Sequence, residues 1–302
     1  MPRCPGPCRS PAWTRPRRPG SRTSATLAAD CSENLTRWRL VDTGPLAGPA
    51  NMAVDEALLQ HFDPDRSQPV LRLYGWEPPA FSVGRFQRAE EALHLERCAA
   101  ADIPVVRRIT GGGVIYHAAE LTYAVVCAPR HISDVRGVKE SFRVLTGFLL
   151  RFYGDLGLEA SWAVDAPSAG ECLGGRPPLC FAGKEEYDIV AGGRKIGGNA
   201  QRRLKDVIFQ HGSIPLRCAL AEALPFFRDP PPGLLDGATS LAQLGVTAAP
   251  AWLRERLAAA FGVTLGVDLL PSSLTAEEEA TAARLSAERY GKTAWNLHGE
   301  TP

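Results

Sequence analysis

Arg107-Arg108-Ile109-Thr110-Gly111-Gly112-Gly113-Val114-Ile115-Tyr116-His117 places two cations, three consecutive glycines and a histidine within eleven residues. The short apolar run before it, Ile103-Pro104-Val105-Val106, reads as a buried strand that delivers the chain into the loop. Three adjacent glycines strip side chains from one face of the backbone, so a ligand can lie against N–H groups in conformations that a Cβ forbids. A Gly-Gly-Gly taken alone is equally a flexible turn between strands. Here Arg-Arg precedes it and Tyr-His follows, and a second polar glycine-rich segment, Gly192-Gly193-Arg194-Lys195-Ile196-Gly197-Gly198-Asn199-Ala200-Gln201, occurs later. Together the two segments point to a ligand site.

Outward from that loop, Val70–Tyr74 and Ala80–Gly84 read as strands, and a helical pattern runs from Ala89 to Ala101. Leu121–Ala128 is almost continuously apolar, as in a central strand buried on both faces. Phe142, Leu145, Leu149, Phe152 and Leu156 form a helical stripe between Val138 and Leu156 that should pack on a sheet. Toward the start, Thr36–Val41 alternates like a strand, and Asn51 is positioned to cap a helix from Met52 to about Phe62, with Asp55 and Glu56 in its first turns as structural acids. Beyond the motif, Glu159–Val164 is a candidate strand and Asp165–Pro178 a Gly/Pro/Ser loop of the length of a lid. Tyr187–Val190 and Arg194–Ile196 should pair as a hairpin around Gly192-Gly193, and Val207–Ile214 closes the sheet region. Helices are expected at Ala251–Phe261 and Leu274–Tyr290, the latter opening with Thr275-x-x-Glu278 at capping-box spacing. The fold class is therefore α+β (mixed α/β): a mixed β-sheet flanked by helices. Residues 35–302 are read as one domain with a C-terminal helical segment at about 250–298, and 1–34 as a disordered basic Pro/Arg-rich extension.

A length of 302 residues and an apolar fraction of 45% suit a chain that buries a full core, and a formal charge of +1 gives no case for bulk nucleic-acid binding. No apolar run approaches the ~20 residues of a membrane span, and the start lacks a signal-peptide core. A cytoplasmic monomer is expected. The eight cysteines are scattered without a Cys-x-x-Cys pair, so neither a disulfide framework nor a metal site is expected.

Cys180 follows the flexible loop and precedes a polar stretch, unlike Cys127 in its apolar strand, so its thiol should be reachable. A thiol is a nucleophile as the thiolate, which a nearby cation favours. Lys195 comes fifteen residues later across the hairpin and meets Cys180 only if the intervening loop folds back; otherwise Cys180 is a buried structural cysteine and Lys195 a solvated one. His117 is either a general base, an orienter of an acyl carbonyl, or hydrogen-bonded scaffold. Arg, Lys and backbone N–H groups of both glycine segments could also bind a phosphate. Neither a Walker loop nor a strand-to-helix Gly-x-Gly-x-x-Gly is present, although a nucleotide stays open. Arg202-Arg203-x-Lys205 is a solvated face or a landing place for an acidic partner.

At this point the motifs resemble a family. Arg107–His117 and Gly193–Arg202 are similar to the two signatures of the lipoate/octanoate protein ligase and transferase superfamily (biotin/lipoate A/B protein ligase family). Trp38-Arg39-Leu40-x-Asp42-Thr43-Gly44, Asn51-Met52-Ala53-x-Asp55-Glu56, Leu71-Arg72-x-Tyr74-Gly75-Trp76-x-Pro78-Pro79 and Tyr290-Gly291-x-x-x-Trp295-Asn296 resemble its LipM/LipL-type octanoyltransferase branch. The resemblance implies a catalytic domain like that of biotin and lipoate protein ligases. It also implies Cys180 as nucleophile, from Cys180-Phe181 seven residues before Tyr187, and Lys195 as the lysine against the thiol. Arg108, Gly111, Gly112, Gly113, His117, Gly197, Gly198 and Asn199 would form the substrate site. The implied reaction moves an octanoyl group from octanoyl-acyl carrier protein, or octanoyl-H protein, through a Cys180 thioester. Its acceptor is a lysine on a lipoyl domain of a 2-oxoacid dehydrogenase or on the glycine cleavage H protein, and no cofactor is needed. The alternatives are an ATP- and Mg-dependent lipoate ligase acting through lipoyl-AMP, and a non-catalytic acyl-binding relative. Gly113 and Tyr116 are ligase-like, and Ala182–Glu186 stands where the branch has Pro-Ser; Ala-Ala-Glu-Leu-Thr-Tyr after His117 is unlike the ligases.

Overall fold

The computed structural model describes residues 36–132, 135, 137–166, 173–174 and 178–300. The expected N-terminal extension and most of the 165–178 loop lie outside the described residues. Strand β6 (Glu120–Cys127) is buried along nearly its whole length, as its unbroken apolar sequence requires. Its side chains alternate between two cores. Tyr123, Val125 and Cys127 join one with Leu145, Phe148, Leu149 and Phe152 of helix α2 (Val138–Asp155) and Leu253, Leu257 and Phe261 of α3 (Pro250–Leu265). Ala124 and Val126 join the other with Ala53, Ala57 and Leu58 of α1 (Gly48–Gln60) and Ala282 and Leu285 of α4 (Ala276–Leu285). Each such Leu or Phe contributes roughly 1.5–3 kcal/mol by leaving water, which makes β6 the centre of a helix–sheet–helix sandwich.

The six-stranded sheet runs β10-β11-β6-β2-β1-β12. Strand β1 (Arg37–Leu46) is parallel to β2 (Val70–Trp76) and to β12 (Asp268–Pro271). Antiparallel pairs join β2 to β6, β6 to β11 (Val207–Pro215) and β11 to β10 (Gly198–Leu204). The expected mixed sheet flanked by helices is what forms. Two small sheets attach to it: β4 (Val105–Arg107), β3 (Ala80–Val83) and β5 (Ile115–His117), in that order, and β7 (Ala160–Trp162), β8 (Ile189–Ala191) and β9 (Arg194–Lys195).

Several local expectations shift. Helix α1 starts at Gly48 with Pro49 in its first turn, not at Met52. Asn51 is therefore inside the helix and fully buried, donating from Nδ2 to the carbonyls of Leu46 and Gly75. Asp55 and Glu56 consequently sit mid-helix, away from the N-terminal dipole. The 89–101 segment breaks into two short helices, Ala89–Ala92 and Leu95–Ala100. The Thr275–Glu278 capping box forms as expected, and Glu278 also takes an ion pair from Arg39 at 2.7 Å.

The C-terminal motif fastens the strand that enters the glycine loop. Arg107 is 1% exposed, and its guanidinium donates to the carbonyls of Gly84, Gln87, Trp295 and Leu297 at 2.6–2.9 Å. Trp295 Nε1 returns a bond to the Arg107 carbonyl, and Asn296 Oδ1 accepts from the Arg107 N–H. No described helix is long and apolar enough to cross a membrane.

Candidate active site

The glycine loop grips the cysteine segment. Cys180 opens a single 3-10 turn, Cys180–Ala182; its N–H donates to the Val114 carbonyl at 3.1 Å, while the Val114 N–H donates to Pro178 at 2.8 Å. A Cβ on Gly113 would lie 2.6 Å from the Cys180 nitrogen, so only glycine permits this approach. Arg108 holds the loop from beneath: Nη2 donates to the carbonyls of Gly111 and Gly113 at 2.9 and 2.8 Å, and Nη1 to the carbonyl and hydroxyl of Ser82. Burial pulls the pKa of this guanidinium down to about 10, against the opposing influence of Cys180. Its Nε has no hydrogen-bond partner among the described residues.

The second glycine segment approaches the same thiol. Gly192 and Gly193 turn the β8–β9 hairpin with φ of 56° and 75°, in the left-handed region that glycine tolerates. The loop folds back, which brings Lys195 to Cys180. Lys195 Nζ donates to the Asp188 carboxylate at 2.6 Å, to the Cys180 carbonyl at 2.8 Å and to the Gly183 carbonyl at 3.1 Å, and lies 3.8 Å from Cys180 Sγ. The lysine is 3% exposed. Burial works against its charge, but Cys180 and Asp188 outweigh burial and hold its pKa above the ordinary lysine range. Gly198 makes room for the sulfur: a Cβ there would sit 2.7 Å from Sγ. Gly197 is needed for a different contact, since its Cβ would lie 2.4 Å from the Ser213 carbonyl oxygen.

His117 is buried and has both ring nitrogens engaged, Nδ1 with Glu120 and Nε2 with Ser82 Oγ, each at 2.7 Å. Its ring stacks on Trp76 with centroids 3.8 Å apart. Burial opposes the Glu120 charge, yet His117 and the hydroxyls of Thr122 and Ser213 hold its carboxyl below the usual range. Both ring nitrogens of His117 are thus occupied by protein partners while the ring lines the cleft. A second network runs from Arg72 through Asp55, at 2.6 Å, to His211 and on to Thr110. Burial lowers the His211 pKa against the pull of Asp55.

Cys180, Arg108, Gly112, His117, Gly198 and Asn199 line one cleft, whose walls add the apolar Met52, Trp76 and Ile115. Asn199 accepts the Tyr123 hydroxyl at 2.8 Å. Lys195, Gly111, Gly113 and Gly197 do not reach the lining: Lys195 stands behind the thiol, and Gly113 and Gly197 act through backbone proximity. Sequence reasoning missed Asp188 and His211. A signal existed for the acid, because Val190 pairs with Lys195 and Asp188 lies two residues before Val190 on the same face. Nothing local marks His211, which its strand carries into the cleft. The assembly is a thiol beside a fixed ammonium in a largely apolar cleft, a setting for nucleophilic acyl transfer.

Residues 48–262 match the lipoyl protein ligase A/B catalytic domain. The chain is 37% identical over 272 residues to the octanoyltransferase LipM of Symbiobacterium thermophilum, covering 87% of this chain and 98% of that protein. It is 34% identical over 273 residues to the octanoyltransferase LipM of Geobacillus kaustophilus, covering 86% and 98%. Among solved structures, lipoate-protein ligase A bound with ATP superimposes with a TM-score of 0.75 at 26% identity, covering 86% of this chain and 98% of that one.

Proposed function

Since this chain belongs to the lipoyl protein ligase A/B family, we infer that it is an octanoyltransferase of protein lipoylation in which Cys180 carries the acyl group between donor and acceptor. The observation that supports this most directly is the Lys195 ammonium, held charged by Asp188 at 2.6 Å and placed 3.8 Å from Sγ. A positive charge so placed stabilises negative charge on sulfur.

In the first step the Cys180 thiolate attacks the carbonyl carbon of octanoyl-acyl carrier protein. The new C–S bond forms as the old one breaks, and the carrier's thiolate leaves. In the second step the uncharged amine of an acceptor lysine, on a lipoyl domain or on H protein, attacks the acyl-enzyme carbonyl. The C–N bond forms, the Cys180 thiolate departs, and the surplus amine proton passes to solvent. Met52, Trp76 and Ile115 suit the octanoyl tail, and the Arg108 charge lining the cleft favours an anionic carbonyl oxygen. Gly111–Gly113, Gly197, Gly198 and Asn199 set the shape around the thiol, and His117 holds the cleft wall.

The first step exchanges one thioester for another and the second runs downhill from thioester to amide, so neither needs a cofactor, in a soluble cytoplasmic enzyme. The ATP-bound relative raises the ligase alternative. Against it stand the motif's own two arginines, whose Nη donors are engaged by protein carbonyls and Ser82 rather than held ready for a triphosphate. The test is intact mass of the enzyme after incubation with octanoyl-acyl carrier protein without ATP, wild type against Cys180→Ala. The expected result is an octanoyl adduct on wild type alone, discharged by a lipoyl domain. Acylation of the lipoyl domain only when ATP and free acid are supplied, with Cys180→Ala fully active, would overturn it.

A further inference from the structure

Phe86 is 86% exposed, more than any other large apolar side chain among the described residues. Its backbone is nevertheless fixed. The turn that carries it is closed by the Gln87 N–H donating to the Gly84 carbonyl and the Gly84 N–H donating to Gln87 Oε1. Gly84 presses on the glycine loop so closely that a Cβ would sit 2.1 Å from the Gly112 oxygen. Gln87 Nε2 donates to Pro178 at 2.8 Å, two residues before Cys180. Arg107 binds the carbonyls of Gly84, Arg85 and Gln87 from below. An aromatic ring left in water on a turn braced against both loops of the site has the character of an interface anchor, since little freedom is lost when a partner covers it.

The surrounding charge indicates the partner. Arg88 is matched by Glu90 and Glu91. Arg85 lies over the Trp295 ring at 4.8 Å, and Arg202 donates to the Ile109 carbonyl beside the glycine loop; neither has a carboxylate at ion-pair distance among the described residues. We propose that Phe86 and Arg85 form the docking anchor for the acidic carrier protein that delivers the octanoyl thioester on its flexible arm. This rests on the transferase reading above. The anchor turn connects to the cysteine segment through Gln87, which bonds Pro178 two residues before Cys180. A pantetheine arm reaches farther from its protein than the four-carbon stem of an acceptor lysine, which favours the carrier as the partner seated on this turn. Uncompensated arginines also steer an acidic partner, more strongly at low salt.

The test measures single-turnover acylation of Cys180 in the full chain from two donors, octanoyl-acyl carrier protein and octanoyl-pantetheine, which has the arm without the protein. Phe86→Ala should slow loading from the carrier about tenfold or more and leave loading from octanoyl-pantetheine unchanged, and Phe86→Trp should restore it. Arg85→Gln should slow the carrier reaction and flatten its salt dependence. Discharge of preloaded variants onto a lipoyl domain should equal wild type. Unchanged carrier loading in Phe86→Ala, equal losses with both donors, or a loss confined to discharge would each overturn the anchor while leaving the transferase intact. Failure of wild type to load from either donor would overturn both.

Discussion

Replacing Gly198 by alanine perturbs the nucleophile through one methyl group. The added Cβ would lie 2.7 Å from Cys180 Sγ and 3.9 Å from Lys195 Cε, where ordinary contacts begin at 3.4 Å. The sulfur must therefore retreat by about 0.7 Å. The Cys180 backbone is tied at its N–H to Val114 and at its carbonyl to Lys195, so the retreat falls on rotation about χ1, which swings the sulfur out of its place beside Lys195. A misplacement of ~1 Å at a reacting centre costs on the order of 100-fold, so acyl-enzyme formation should slow by roughly 10- to 100-fold, or about 1.4–2.7 kcal/mol of barrier. The fold should survive, since Gly198 lies within β10 and has no left-handed φ that alanine would strain. Gly154→Ala, in helix α2 and outside the cleft, is the control: nothing lies within 4 Å of its added Cβ, and loading should stay near wild type. The assay is the rate of octanoyl adduct formation by intact mass, with thermal melting run on the same samples. A folded Gly198→Ala enzyme that loads at the wild-type rate would refute the placement of the reacting sulfur. So would equal losses in the two variants.

Three further outcomes follow from the buried charges and the C-terminal clasp. Asp188→Asn leaves the Lys195 ammonium buried without its counter-ion, which should cost roughly 3 kcal/mol as a lower urea midpoint together with slower acylation; an unchanged midpoint would contradict the pairing at 2.6 Å. Burial, with help from Arg130, lowers the His131 pKa from an ordinary value near 6.5 to about 4. Between those values the unfolded chain binds the proton and the folded one does not, so stability should fall as pH drops from about 6.5 to about 4, by at most about 1.4 kcal/mol per pH unit from this group. His131→Asn, which keeps an acceptor for the Ala128 N–H, should flatten that slope in denaturation curves taken across the window. Asn296→Ala strips the Arg107 N–H of its acceptor and the Tyr290 carbonyl of its donor. The expected loss is about 1–3 kcal/mol, and a melting point equal to wild type would show that the tail does not clasp the loop.

Periodicity and apolar runs made the frame legible: β6 as the central strand, the α2 stripe and the α4 capping box are all properties of contiguous residues. The start of α1 at Gly48 is not legible locally, because Asn51 has the residue type of a cap. Its amide is instead satisfied by Leu46 and Gly75 carbonyls, and Gly75 belongs to a strand that no local rule could bring there. Within the site, the motif resemblance identified Cys180 and Lys195 as a pair, which the residues alone left open. The roles inside the motif were less legible. Two adjacent arginines read as cations that could bind a phosphate, yet Arg107 is enclosed by carbonyls of the 84–87 turn and of a segment nearly two hundred residues away, and Arg108 by those of its own loop and Ser82. Such uses depend on which carbonyls the fold brings near, and spacing does not encode that.

The same geometry divides the electrostatics of the site between two places with different exposure to salt. Lys195 acts from behind the thiol, 3% exposed and absent from the cleft lining, so mobile ions screen it weakly and it does not compete with the acyl chain for the cleft. Arg85 and Arg202 are partly exposed near the glycine loop and are open to screening. Chemistry at Sγ and capture of the donor therefore respond to different variables. Loading from a small thioester should be nearly flat with ionic strength, because only the buried Lys195 and Arg108 charges matter once the thioester is in the cleft. Loading from a carrier protein should fall as salt rises, through the encounter step. A steep salt dependence with the small donor would mean that the ammonium beside Cys180 is reached by solvent ions, and the burial that keeps Lys195 paired with Asp188 would then not hold in solution.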